Sequence, residues 1–525
     1  MKAIDIVLAV SKYSPEISMR SKMLSPLRLI SPDSSEKRYA GASFILSIMA
    51  GFLTLVFVII IGENIAFSLL GFSLCFIFML ALPGMELKRK SAEFEARLPL
   101  MLRTLGMLLD MKIPFQRALE IIAEDEAELQ LVVDDIRKGI TLQKSLSRIV
   151  LAYDSFMIKR AISQLITAYE VGSSGQEIRR MGDEMLSVQR HALREYASKS
   201  AIFGLLFIVS AAVMPTFFLV YSVLGQFSLG SAVPEAMIAI VMLLIFPLIS
   251  LSILLLAKSM LPRSALEGTG SPQDLAVLGP TAFIVLSLLL LPKGFAPIGI
   301  AIGCAVAGFI VYRRYGEEKR VEEIDKHLPD ALFALSGLPK STTMEDMFTL
   351  IERSGYGALS EEAGKSKKQL DSKLTIDLVL EDLGTRNKSG MLNRACDLLA
   401  HVFSTNSYSQ LNRLAEDMLQ FVEVRRERAG LLAMQKYTLV FGGLIVPFIL
   451  KITLNLLSSM AEFFSGTGAS AQLDFAYTLI PAYLIIYALL ASFYIANIDE
   501  RKSASAGYFI GIVVVSLATF FFLNI

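Results

Sequence analysis

One short string has the residue types needed to bind a nucleotide phosphate. Gly364-Lys365-Ser366 has the glycine, lysine and serine order of a phosphate-binding loop. Such a loop needs another glycine five residues before Gly364, where Leu359 stands, and an apolar strand before the loop, which this segment lacks. We therefore expect the chain not to bind ATP itself and to depend on a partner for hydrolysis.

Residues for metal binding or covalent catalysis are few and scattered. The serines between Gly172 and Gly175 follow no strand and have no histidine placed to activate them. The histidines are far apart and lack metal-ligand spacing, and the cysteines have no obvious partner: His191, His327, His401, Cys75, Cys304 and Cys396. We predict no enzymatic activity, no metal and no cofactor.

The apolar residues that must position everything else occur in long runs. Of the 525 residues 54% are hydrophobic, yet 19% are charged, and the charges lie between the apolar runs. A membrane span needs about 20 apolar residues. Nine runs approach or reach that length, at 42–62, 65–83, 201–224, 233–257, 275–292, 296–312, 437–459, 475–496 and 506–524. We predict an all-α polytopic membrane protein with nine transmembrane helices.

The distribution of basic residues predicts the orientation. With the N-terminus in the cytoplasm and the C-terminus outside, the outer loops carry one cation, Lys293. Lys451 falls inside a span, so 50 − 2 leaves 48 Lys and Arg on the cytoplasmic side, as the positive-inside rule requires. Acidic and basic residues are mixed along the cytoplasmic loops, which argues against a nucleic-acid partner.

The chain also repeats itself. The segment 157–161, MIKRA, recurs 234 residues later at 391–395 as MLNRA. The pair Leu98-Pro99 recurs as Leu328-Pro329 after a slip of four residues. Each unit is therefore span, span, cytoplasmic domain, span, span, and the even number of spans gives both units the same sense in the membrane.

The predicted organisation follows from these runs and this repeat. It consists of a cytoplasmic segment 1–41, transmembrane helices at 42–83, helical domain 84–199, transmembrane helices at 200–257, loop 258–274, transmembrane helices at 275–312, helical domain 313–435, transmembrane helices at 436–496, loop 497–505 and a last transmembrane helix at 506–525.

Both cytoplasmic domains have the apolar periodicity of helical bundles. Leucines at 98, 102, 105 and 109 form one stripe, and leucines at 328, 332 and 335 repeat its beginning. Thr141 and Thr375 stand where an N-cap hydroxyl would accept an amide hydrogen bond. Turn or C-cap positions are predicted at three glycines, 139, 172 and 175. The segments 181–199 and 411–435 are expected to continue as helices into the next span.

Three stretches of the first domain resemble a known family, at 98–120 (LPLMLRTLGMLLDMKIPFQRALE), 136–146 (IRKGITLQKSL) and 169–177 (YEVGSSGQE). They are similar to the type II secretion F domain of the membrane platform proteins of type II secretion systems, type IV pili, tight-adherence pili and archaella. In the second copy Asn406 and Ser409 replace Gly172 and Gly175, so we do not expect a role tied to that turn there.

This resemblance implies a function. Nine spans with two cytoplasmic domains look most like the archaeal subgroup, in which a homodimeric platform contacts a hexameric ATPase and acts on pilin or archaellin subunits. The alternative is a secondary transporter built from a parallel repeat, which would need several ionisable groups at the midplane. Candidate ATPase-facing charges are Arg137, Lys138, Glu177, Arg179, Arg180, Arg425, Arg426 and Arg428.

Lys451 is the clearest charge inside a predicted span. A cation at mid-bilayer costs at least about 2.5–3.5 kcal/mol. Its stem can snorkel toward the outer surface, or the ammonium can pair with Glu235, Glu462 or a pilin. The sequence leaves both alternatives open.

Overall fold

The computed structural model describes residues 3–11, 13–16, 27, 35–61, 66–124, 126–153, 155–172, 174–229, 234–262, 280–281, 283–284, 296–339, 341–463, 469–499 and 502–522. Every regular element within these ranges is a helix. The helices are α1 Ala3–Ser11, α2 Glu36–Ile61, α3 Ala66–Asp110, α4 Phe115–Ala123, α5 Ala127–Arg137, α6 Leu142–Ala152, α7 Phe156–Val171, α8 Gly175–Ile208, α9 Met214–Leu229, α10 Glu235–Ile240, α11 Phe246–Met260, α12 Ala296–Ser336, α13 Met344–Arg353, α14 Ala358–Asp371, α15 Ile376–Arg386, α16 Gly390–Ser404, α17 Leu411–Phe463, α18 Ala469–Asp499 and α19 Lys502–Phe522. The all-α prediction is confirmed for these residues.

Five helices in the described ranges are long and apolar enough to cross a membrane. They are Gly175–Val223, Glu235–Met260, Tyr408–Met460, Leu473–Ala496 and Ser505–Phe522, and each contains all or most of a predicted span. The predicted span at 296–312 coincides with a shorter apolar stretch, Gly299–Phe309. Those at 42–62 and 65–83 fall on α2 and α3, where about half of the side chains lie outside the described residues, as does most of 275–292. The count of nine stays a prediction.

The chain divides into two compact units, Met1–Ser187 with Arg263–Leu266, and Val188–Pro262 with Glu267–Ile525. In the first unit the second half of α3, helices α4 to α7 and the start of α8 form a bundle. Leu98, Leu102 and Leu105 of α3 are fully buried in its core, as the leucine stripe predicts, whereas Leu109 is half-buried.

The second unit contains another bundle and most of the described spans. The end of α12, helices α13 to α16 and the start of α17 form this bundle, with Leu328, Leu332 and Leu335 buried. Among the described spans α18 has the largest buried share, 72% of its most apolar window.

Both bundles contain the same serine cap. The Ser155 hydroxyl donates to the Glu95 carboxylate (2.6 Å) and accepts from the Ile158 amide (3.3 Å) at the start of α7. The Ser389 hydroxyl donates to Asp325 (2.5 Å) and accepts from the amide of residue 392 (3.0 Å) at the start of α16. The serines are 234 residues apart and the acids 230, the two offsets found in the sequence. These shared contacts favour the tandem repeat, which stays a prediction.

The predicted threonine caps are half right. Thr141 and Thr375 do occupy the N-cap positions of α6 and α15, with extended backbone, but neither side chain accepts a cap hydrogen bond. The predicted hydrogen bonds are therefore wrong. The serine caps lie at the next helices, α7 and α16, where each serine hydroxyl also donates a hydrogen bond to a carboxylate.

Two of the three predicted turn glycines have left-handed backbone, as do the equivalent positions of the second bundle. Gly172 is the left-handed C-cap of α7 with φ +74°, and Gly139 has φ +82°. At the equivalent positions, Asn406 has φ +54° and Lys373 has φ +65°. Asn406 keeps the left-handed backbone because asparagine tolerates it better than most residues, and the expectation about a role tied to that turn stays a prediction. Gly175 is not a turn residue; it begins α8.

Changing Ser389 tests the shared cap. Ser389→Ala removes both hydrogen bonds and should cost about 1–2 kcal/mol of stability. Ser389→Thr should retain most of it. Ser389→Asp, although aspartate is a good N-cap, should fail as alanine does because it faces the Asp325 carboxylate. Urea unfolding of the full chain in detergent, with hydrogen exchange at the start of α16, measures the effect; an aspartate variant as stable as wild type would contradict it.

Candidate functional site: the helices that join the bundles to the membrane

Each bundle is joined to the apolar part of the chain by uninterrupted helix. The helix that begins as α8 continues through a π-helical segment, Val209–Val213, into α9, so that Gly175–Val223 forms one helix of 49 residues. Tyr408–Met460 forms another of 53 residues. The prediction that 181–199 and 411–435 continue into spans is confirmed. Because a helix pairs its own backbone groups, it can pass from water into lipid without an unsatisfied break.

Glycines let α3 and α8 pack closely in the first unit. A Cβ on Gly182 would lie 2.7 Å from the Pro99 carbonyl oxygen, and one on Gly106 would lie 3.0 Å from the Arg179 amide nitrogen. Gly175 and Gly106 approach each other's carbonyl oxygens even more closely. Any side chain at these positions would have to push the two backbones apart.

An ion pair lies beside this glycine contact. Arg103 of α3, whose side chain is 4% exposed, donates to the carboxylate of Asp183 on α8. The space occupied by the Arg103 stem is available because residue 182 is glycine, where a Cβ would lie 2.9 Å from the Arg103 Cγ. Removing the partner of a buried charge is strongly destabilising. The pair therefore holds α3 against α8 where glycine has brought them together.

In the second unit, Arg190 and Arg194 of α8 share one carboxylate on α17. The Arg194 guanidinium lies 2.6 Å from Glu427 and that of Arg190 lies 3.7 Å from it. Farther along, a Cβ on Gly204 would lie 3.1 Å from the Thr438 methyl carbon. These contacts brace the two long helices directly against each other.

A buried hydroxyl network continues this brace. The Tyr196 hydroxyl of α8 donates to the Ala257 carbonyl oxygen (3.1 Å) and lies 3.0 Å from the Tyr494 hydroxyl of α18. The Tyr494 hydroxyl accepts from the Gln435 amide of α17 (2.7 Å). Four helices of the second unit are thus tied by one set of hydrogen bonds.

Two more tyrosines of α18 bind backbone carbonyls. The Tyr483 hydroxyl donates to the Ala211 carbonyl oxygen (2.7 Å), inside the π-helical segment that links α8 to α9. A π-bulge disturbs the regular pairing of a helix, and the hydroxyl provides an outside partner. The Tyr487 hydroxyl donates to Leu439 of α17 (3.0 Å). Sequence reasoning missed these residues, although tyrosines at 483, 487 and 494 on one helical face of an apolar span were a usable signal.

The candidate charges of the first bundle lie at two places. Arg137, 69% exposed, ends α5, and Lys138 is its exposed C-cap. Glu177 and Arg180 are exposed on the first turns of α8, and Arg180 lies 3.7 Å from Glu184. Arg179 is half-buried near Gly106.

The candidate charged residues of the second bundle lie in different environments. Arg425 donates to the buried Asp325 carboxylate (2.9 Å) and so links α17 to α12. Arg426 is exposed. Arg428 is only 5% exposed, so the expectation of an exposed charge is wrong there. The long aliphatic stem of arginine lets it be buried, which a charge pattern alone does not reveal.

The glycine-lysine-serine string lies inside α14 rather than in a loop. Its Lys365 donates to the buried Glu362 carboxylate (2.7 Å), which also accepts from Arg320 (2.6 Å), Arg386 (2.8 Å) and Asn387 (3.3 Å). Burial alone would raise the pKa of Glu362, but the bonds from Lys365 and Asn387 and the charge of Arg386 lower it. The string is therefore ordinary helix, and the neighbouring Glu362 links α14 to Arg320 of α12 and Arg386 of α15.

No group of three or more His, Cys, Asp or Glu side chains is placed to hold a metal ion among the residues searched. Cys396 is buried in the second bundle, and burial raises the pKa of its thiol.

Lys451 of α17 lies between two aromatic rings. Its ammonium is 5.3 Å from the ring centroid of Tyr477 and 5.2 Å from that of Phe520. The expected pairing with Glu235 is not seen in the part of the chain that the structure describes, and the side chain of Glu462 lies outside it.

Residues 101–223 match the family model described as "Type II secretion system (T2SS), protein F". The matched range contains the glycine contact, the Arg103–Asp183 pair and the whole of α8. It confirms the resemblance drawn from the residues. No curated protein and no solved structure matches the chain.

Adding one methyl group tests the close contact of α3 and α8. Gly182→Ala should cost about 1–3 kcal/mol of stability, because the Pro99 carbonyl and the Arg103 stem cannot both withdraw. The matched control is Gly84→Ala on α3, where a Cβ meets nothing within 4 Å and helix propensity improves by about 1 kcal/mol. Urea unfolding of the full chain measures both, and equal stability of the two variants would contradict the contact.

Proposed function

We propose that this chain, which carries a type II secretion system protein F domain at residues 101–223, is the platform of an archaeal type IV pilus-like or archaellum machine. The domain and the apolar helices identify a multi-pass membrane protein of a secretion or pilus-type machine. In our proposal it couples a hexameric cytoplasmic ATPase to pilin or archaellin subunits, so that filament assembly or rotation follows from ATP hydrolysis by the partner.

The observation that carries this proposal is the unbroken helix from Gly175 to Val223. Its first turns belong to the bundle and its last turns to a span. A helix resists bending because every bend strains its backbone hydrogen bonds, whereas a flexible linker would absorb a displacement. A rotation or push applied to the bundle is therefore passed to the apolar segment.

The braces on this helix support a mechanical role. Arg103 and Asp183 join it to α3 in the bundle, and Glu427 joins it to α17 beyond the bundle. Since α17 is itself continuous from the second bundle into a span, we propose that each bundle drives one long helix. The contact through Glu427 would make the two helices move together.

The exposed charges provide a surface for the ATPase in this proposal. Arg137, Lys138, Glu177, Arg180 and Arg426 are exposed on helices and at one helix end, and they carry both signs of charge. Rim charges of this kind favour orientation and rapid association more than affinity. Arg425 is the weaker candidate, because it already pairs with the buried Asp325.

Making α8 flexible at one point tests the proposal. Ser198 and Lys199 are exposed on α8 just before the apolar segment. The double variant Ser198→Gly, Lys199→Gly removes about 1 kcal/mol of helix propensity per residue without touching the buried face. The matched control Ser198→Ala, Lys199→Ala loses the same side chains, including the 2.7 Å pair of Lys199 with Glu195, but stays a strong helix former.

Each variant replaces the wild-type chain in the cells that make it. Membrane content of the chain and co-purification of the ATPase should be equal for both variants. Electron microscopy should show several-fold fewer filaments with the glycine variant than with the alanine control. Equal numbers of filaments would contradict coupling through α8, and failure of the wild-type chain to co-purify with any ATPase would contradict the proposed partner.

A further inference from the structure

Two lysines on the same helix have different environments. Lys436 of α17 lies 2.8 Å from the Asp499 carboxylate and 4.9 Å from the ring centroid of Tyr508. Lys451, fifteen residues farther along, has two rings but no carboxylate within the ranges described. The first lysine thus has ring and anion, whereas the second has rings only.

The aromatic partners of Lys451 are held in place. The Tyr477 hydroxyl donates to the Asn455 side-chain oxygen (3.0 Å), which fixes the ring beside the ammonium. Leu450 and Leu454, on either side of the lysine, are fully buried, but Lys451 itself is only half-buried. Part of this residue is therefore open to the surroundings of the protein.

Energetics favour an anion at this place. A lysine near the middle of a span is costly, and a ring over its ammonium offsets only part of that cost. Rings attract a cation without neutralising its charge. An anion would neutralise the charge, as Asp499 does for Lys436.

The surface around Lys451 indicates which anion. Asn455 and Ser459 follow it at one and two helical turns, so a polar stripe runs from Lys451 toward the end of α17 at Phe463. Ile452 and Leu456, 38% and 58% exposed, lie next to that stripe. A phospholipid matches this pattern, because its phosphate pairs with the ammonium and its acyl chains cover the exposed apolar side chains.

We propose that Lys451, between Tyr477 and Phe520, binds the phosphate of a membrane phospholipid. The ammonium provides the charge-assisted hydrogen bonds, and the two rings hold it in position. A lipid bound here touches α17, α18 and α19 together and so becomes part of the packing of this end of the membrane domain.

Native mass spectrometry of the purified full chain tests the site. The probes are phosphatidylglycerol and an uncharged diglycosyl lipid with the same acyl chains. Lys451→Met should lower phosphatidylglycerol binding by roughly tenfold, equivalent to about 1.4 kcal/mol. Lys451→Arg should retain it. The matched control Lys436→Met removes one positive charge from the same helix and should also retain it, because the anion for Lys436 is already within the chain.

Three results would overturn the proposal. The first is that Lys451→Met binds phosphatidylglycerol as wild type does, which would leave the lysine to a carboxylate of another protein or to bulk water. The second is an equal loss of the uncharged lipid, which would mean that packing rather than phosphate is recognised. The third is that sodium phosphate without lipid raises the melting temperature of wild type but not of Lys451→Met, which would assign the site to a free anion. Loss confined to phosphatidylglycerol supports the lipid phosphate.

Discussion

A backbone in lipid has no water to bond with, so every amide and carbonyl in a span must be paired inside the protein. Much of the structure follows from that constraint. The segments that leave the bundles cannot loosen into linkers as they reach the apolar region, and they continue as helices of 49 and 53 residues. Where regular pairing is disturbed, at Val209–Val213, a tyrosine hydroxyl supplies a partner for Ala211. The stiffness needed to transmit movement is thus a consequence of solvation.

The two bundles fasten their long helices by different physical means. In the first, glycines at 106, 175 and 182 let the backbones of α3 and α8 come into direct contact. The ion pair of Arg103 with Asp183 holds the two helices at that distance. In the second, the buried Asp325 on α12 takes Arg425 from α17 and the Ser389 hydroxyl at once. Close packing is sensitive to one methyl group, whereas an ion pair tolerates wider separation.

Local patterns predicted the elements but not the bonds between them. The leucine stripe, the five apolar spans and the left-handed Gly172 could all be read from a few neighbouring residues. Arg103 and Asp183 are 80 residues apart, and Tyr196 and Tyr494 are 298 apart, so only the folded chain pairs them. Thr141 failed as a side-chain cap while Ser155 succeeded, because Ser155 meets a carboxylate on another helix. The exposure of a charged side chain could not be predicted from the sequence either: Arg428 is buried.

The central claim is that α8 moves as one rigid rod. Spin labels are attached at Ser187→Cys and Leu205→Cys in a chain whose native Cys75, Cys304 and Cys396 are replaced by alanine. Pulsed electron paramagnetic resonance then measures the distance between the two labels along α8. Eighteen residues of helix separate their α-carbons by roughly 27 Å. With the ATPase and ATP added, that distance should stay single and narrow. A distribution that broadens or splits would contradict the account.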